Sequence, residues 1–354
     1  MPLGARRDAD VSVPVATDVG EHAEMEEAMS GRAPVKVVRD QLVLGPVTVN
    51  FQRTLRIPET GLHPLPPGLG RFPLRRVADY PDTAPAEWLS RGGVMLPIYQ
   101  REAMWLSFNA SEPAALQVGV GKVCAVSGLP WIEHLIGDPQ NYVALPDQPW
   151  LDGINAGDGF IRQFVAVPLG SGATVEGQVT GQETHGGVQL RAVGLTQQAL
   201  AAWHAAQTLS TECYEDAMLD GGPLPAPSAS MGLGAGGRMR QEVYADDRQL
   251  ADYDGSGARR AFVHLCSAAQ WAAITGEVAP PTPVDRDAYV SAGLPWFDYY
   301  DADALDLAPS KILANVKSVG KKLGAEDDPF APVDQKTVIT LAGVSPDAVT
   351  DGKW

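Results

Sequence analysis

Glycine and proline punctuate this chain so densely that long regular elements are excluded. There are 37 glycines and 29 prolines among 354 residues, about 19% against roughly 12% in average usage. Proline fixes φ and has no amide donor, and glycine is entropically costly inside helices and strands. The chain must therefore fold as short elements joined by many turns. It is nevertheless a globular sequence: 45% of its residues are hydrophobic and 20% charged, enough to bury a core. Its length suits one large domain or two ordinary ones.

Residues 36–195 read mainly as strand. Val43 to Ile57 is rich in β-branched residues, and Leu116 to Val126 reads as a strand with glycines for close packing. The prolines of Leu62 to Gly70 make an extended surface crossing. Between Ile161 and Val193, Val175, Gly177 and Val179 alternate with Glu176, Gln178 and Thr180. That spacing predicts a strand with one wet face, the middle of a three-strand meander turning at Gly170–Gly172 and His185–Gly187.

Helical patterns come later. They begin with Thr196 to Leu209, where Leu200, Trp203 and Gln207 are expected to pack on the sheet. Ser267 to Ile274, Asp285 to Ala292 and Ser310 to Leu323 follow, stopped by Gly276, Gly293 and Gly324. Strands first and helices later predict an α+β fold. Its core would be a sandwich or barrel of mainly antiparallel strands, with a few helices gathered on one side. The expected organisation is a mobile acidic segment (1–35), a single domain (36–323), then a linker and short strand (324–354), the strand at Thr337–Leu341.

The formal charge is −16. Phosphate neutralisation by Lys and Arg drives non-specific nucleic-acid binding, so this balance opposes nucleic acid and anionic membranes as partners. Met1 to Gly20 lacks the apolar core of a secretory signal, and no stretch approaches the ~18 apolar residues of a membrane span. Cys124, Cys213 and Cys266 are odd in number and far apart, which reads as reduced, buried thiols. A soluble cytoplasmic protein is expected, with no cofactor and no metal site.

Candidate chemistry is sparse. Gly119-Val-Gly-Lys122-Val lacks the spacing and hydroxyl of a phosphate loop. Glu133, His134, Asp138, Glu183 and His185 are residue types suited to acid–base work but read better as exposed loop residues. Cys266 and His264 share a strand face, a spacing seldom used for a nucleophile and its base. The sharper constellation is Met231 to Glu242. Its glycines, including Gly234, Gly236 and Gly237, are expected to form a loop whose amides converge on an anion, beside the paired guanidiniums of Arg238 and Arg240. Against this stands a plain hairpin whose arginines pair with Glu242, Asp246 or Asp247. The aromatic knot Pro295 to Asp301 reads as satellite core, and Trp131, Trp150 and Trp271 as structural.

Four blocks resemble a family of uncharacterised bacterial proteins: Gln148–Gly153, Ile161–Gly170, Met231–Glu242 and Gly293–Asp301. The resemblance covers about 45–320 and implies no activity, cofactor or catalytic residue. The expected function is a non-catalytic binding or structural protein, with a small anionic ligand as partner. The alternative is an enzyme acting on a small anionic or sugar-like substrate held by Arg238 and Arg240, with Glu183 or Glu242 as acid–base.

Overall fold

The computed structural model describes residues 35–58, 61–63, 65–157, 160–207, 231–281, 307 and 310–323. The expectations for both termini, for Cys213, for the helix at 285–292 and for the knot at 295–301 lie outside these residues.

Strands dominate, and most pairs are antiparallel. One sheet begins with β1 (Lys36–Val38), β2 (Gln41–Leu44) and β3 (Val47–Thr54), each paired with the next. Another of its strands runs along β3 over residues 103–110, pairing Val47 with Ala110 through Thr54 with Ala103. The second sheet includes Val94–Pro97, which becomes β4, while Ala103–Ala110 is β5 and Ala114–Val120 is β6. The remaining long strands are β7 (Phe160–Pro168), β8 (Val188–Gly194), β9 (Met231–Arg240) and β10 (Arg259–Cys266).

The first sheet therefore runs β1-β2-β3-β5-β7-β9, and the second runs β6-β8-β10-β4. Only the last pair, β10 with β4, is parallel within these two runs. The sheets meet where Met231 of β9 pairs with Leu265 of β10, beyond the part of β10 that pairs with β8. The alternation of β3, with Val47, Val49 and Phe51 buried, aims one face at the other sheet. Leu116, Val118 and Val120 of β6 and Val188 and Leu190 of β8 meet them in one continuous core. This is an α+β fold with a β-rich, mainly antiparallel core.

The helices attach at the margins. α1 (Ala86–Arg91) and a later helix at Ala268–Thr275 enclose a smaller core with Trp88, Met95, Tyr99 and Trp271 beside β4 and β10. The later helix starts at Ser267, whose hydroxyl accepts from the Gln270 amide, and ends at left-handed Gly276.

Three expectations are corrected. Val175–Thr180 is helix (α2), not the middle strand of a meander. The Thr174 hydroxyl accepts from the Gly177 amide and Gly181 closes the helix in the left-handed region. Both flanking strands are present as β7 and β8, paired with other strands. Helix α3 (Gln197–Gln207) is where the sequence places it, capped by Thr196, but none of its residues is buried. It stands on the surface among the described residues. Residues 310–323 make two short helices, Lys311–Ala314 and Val319–Leu323, which follow the Ala268–Thr275 helix (α4) as α5 and α6. Ser310 caps the first of them.

Candidate functional site

The glycine-rich segment expected to be an anion loop is the strand β9. Gly232 to Ala235 pair with Val167 to Phe164, and Arg238 pairs with Arg162. Gly236 and Gly237 together oppose Gln163, which is a β-bulge. Ladder pairing leaves no converging nest of amides over Gly232–Ala235. The glycines serve close approach instead: a Cβ at Gly237 would sit 2.1 Å from the Pro58 carbonyl oxygen, and one at Gly234 or Gly236 2.6 Å from Val319 or Val165. Arg238 is exposed and its guanidinium lies 4.4 Å from the Phe160 ring centroid. Arg240 ends the strand two residues on, at the position paired with Phe160. Asp246 is taken by the Tyr142 and Tyr253 hydroxyls at 2.8 and 2.7 Å.

The other singled-out groups divide between scaffold and site. The Glu183 carboxylate accepts from the Gly172 and Thr174 amides at 3.0 Å each and from the Thr174 hydroxyl. Burial pulls its carboxyl upward, but these bonds outweigh it and hold the group below the usual range. Glu183 thus fastens the start of α2. Cys266 donates to the Leu96 carbonyl at 3.2 Å, and His264 Nε2 meets the Gly92 carbonyl at 2.9 Å. Burial raises the Cys266 thiol and lowers His264 to about 4, the reverse of a thiolate–imidazolium pair. Cys124 is likewise a buried free thiol. Among the described residues no group of three or more His, Cys, Asp or Glu is placed to hold a metal ion, and no helix is long and apolar enough to cross a membrane.

The residues that do converge come from segments far apart in sequence. A cavity of about 590 Å³ is lined by β1 (Lys36), by Arg76 ahead of α1 and Arg91 at its last residue, and by Lys122 in the turn after β6. Trp131, Glu133 and His185 join them, over a floor of Gln189 in β8 and Arg260 and Phe262 in β10. Five cationic side chains line it against one carboxylate. Arg76 is paired with Asp79 at 2.8 Å and Arg260 with Glu133. Arg91 lies 5.6 Å from the Phe262 ring centroid. Lys36 and Lys122 are exposed and have no carboxylate partner among the described residues.

His185 is held from behind. Its Nδ1 is 3.1 Å from Glu176 Oε1 and 2.9 Å from the Thr184 hydroxyl. Glu176 is only 2% exposed, and its Oε2 also accepts from the His185 and Gly186 amides. The tight turn at Gly121 presses on that carboxylate: φ is +57°, and a Cβ there would lie 2.6 Å from Glu176 Cδ. Gly121 and Lys122 are thus the turn of a hairpin that breaks the strand expected over Leu116 to Val126, and they put the lysine at the cavity beside His185. An imidazole oriented at one nitrogen by a buried carboxylate, beside lysines without a carboxylate partner among the described residues, can bind an anion or exchange a proton with it. Sequence reasoning missed this assembly because only the folded arrangement of strands, turns and α1 brings residues 36, 91, 122, 131, 185 and 262 together.

No protein-family model matches this chain, and no curated protein or solved structure does so either.

Proposed function

We propose that this chain is a binding protein for a small anionic ligand held in the cation-lined cavity. One observation carries the reading: five cationic side chains and one carboxylate line a cavity in a chain of net charge −16. Such a chain repels anions at long range, so a local reversal of sign inside a concavity marks a place for one. Lys36, Arg91 and Lys122 are the expected contacts. Arg238 belongs to a separate surface, where Phe160 rather than a converging loop faces its guanidinium. The proposal extends to a soluble cytoplasmic location, in keeping with the buried free thiols Cys124 and Cys266, and to a place in the bacterial family of the four blocks. The acidic balance disfavours nucleic acid and anionic membrane as partners.

A second reading, catalysis on the bound anion, is favoured by the Glu176–His185 pair, which resembles a base held by its orienting group. One experiment separates these readings. Inorganic phosphate is titrated against melting temperature, with chloride at equal ionic strength as control, and phosphate release from phenyl phosphate is assayed in parallel. Saturable stabilisation that Lys122→Glu abolishes and Arg238→Glu leaves intact is the expected result. Loss only in Arg238→Glu would return the site to β9, and turnover abolished by His185→Gln would establish the enzyme.

A further inference from the structure

The cavity holds two aromatic rings as well as its cations, and strand register fixes where they sit. Gly119, Gln189 and Phe262 are cross-strand partners in one row over β6, β8 and β10, so they share a face of the sheet. A Cβ at Gly119 would lie 2.5 Å from Cε3 and 2.9 Å from Cζ3 of Trp131. The six-membered ring of the indole therefore sits where a side chain would otherwise stand. Trp131 is also tied to the lysine of the site, since its amide donates to the Lys122 carbonyl at 2.8 Å. Two strands away, about 10 Å at the usual spacing, Phe262 faces the Arg91 guanidinium. Trp131 is half-buried and lines the cavity, which puts it within reach of a ligand there.

We infer that the anion is a nucleoside phosphate, whose base stacks on Trp131 while its phosphate is held by Lys122 with Lys36 and Arg91. This rests on the anion-binding reading above and adds the ring. Inorganic anions would use the cations and leave the indole without a partner. A cavity of about 590 Å³ lies within the range that takes small organic ligands. Base-on-aromatic stacking tolerates any base and adds substantial affinity in solvent-accessible sites.

The test is calorimetric titration of the full chain with AMP, ribose 5-phosphate, adenosine and inorganic phosphate. AMP should bind at least about tenfold tighter than phosphate or ribose 5-phosphate. Trp131→Ala should bring AMP down to the phosphate level without weakening phosphate, and Trp131→Phe should keep most of the AMP preference. Trp131→Phe also covers the case in which the alanine variant fails to fold. AMP no tighter than phosphate would overturn the inference and leave the anion reading standing. Ribose 5-phosphate equal to AMP would overturn it too, in favour of a sugar on the indole. Failure of every phosphate-bearing probe would sink both.

Discussion

At the scale of single residues, two buried carboxylates show how environment decides cost. Glu102 is pushed up by burial, yet the Arg53 guanidinium at 2.9 Å and the Tyr99 amide draw it back. Asp152 is equally buried; among the described residues no cation pairs with it and its Oδ2 accepts no hydrogen bond, and burial pushes it up to about 7. The native state therefore keeps a proton between pH 4 and 7 that the unfolded chain releases, so this group's contribution to stability falls as pH rises through that window. From 3.8 to about 7 the loss is about 4 kcal/mol. Asp152→Asn removes the titration. Its stability relative to the parent should rise by several kcal/mol between pH 4.5 and 8 in urea unfolding, and a difference independent of pH would refute the assignment. None of this is legible in the sequence, where Asp152 stands in an ordinary Leu-Asp-Gly triplet. The glycines of β9 were visible, but not their reason. A residue chosen because the Pro58 carbonyl leaves no room for a Cβ looks the same as one chosen for a loop.

At the scale of elements, the sequence is legible wherever a pattern is long or punctuated. β3 alternates from Val47 to Arg53, and α4 has a serine cap and a glycine stop, so both stand where expected. The segment Val175–Thr180 is only six residues long, too short for a period of two to be told from one of 3.6. Val175 and Val179 are four apart and meet the core from one helix face as readily as from a strand. The caps decide it. Thr174 accepts from the Gly177 amide at 2.9 Å and donates to Glu183, so it holds both the helix start and the loop that returns from it. Thr174→Ala should cost about 1–2 kcal/mol, and Thr174→Ser should recover most of the loss. Unfolding midpoints that do not separate the two variants would mean that α2 is held by Val175 and Glu176 alone.

At the scale of the whole molecule, the question is whether two sheets and their marginal helices behave as one unit. Among the described residues the sheets touch through one strand pairing, Met231 with Leu265, which alone would couple them weakly. The core is what joins them: one continuous cluster runs from Leu42 in β2 through Leu106, Val118 and Leu190 to Val316 beyond α5. The candidate cavity depends on that union, since it takes Lys36 from the first sheet and Lys122, Gln189 and Phe262 from the second. Unfolding should accordingly be one cooperative transition. Leu190 is wholly buried between the sheets, so Leu190→Ala should cost about 2–5 kcal/mol through lost burial and the cavity left behind. In a protein of this size that lowers the melting temperature by roughly 2–4 °C for each kcal/mol. The variant should melt in a single step, and phosphate should raise its midpoint as it does the parent's. Calorimetry that resolves two transitions, with only one of them moved by Leu190→Ala, would make the sheets separate folding units and leave a cavity spanning them without a rigid frame.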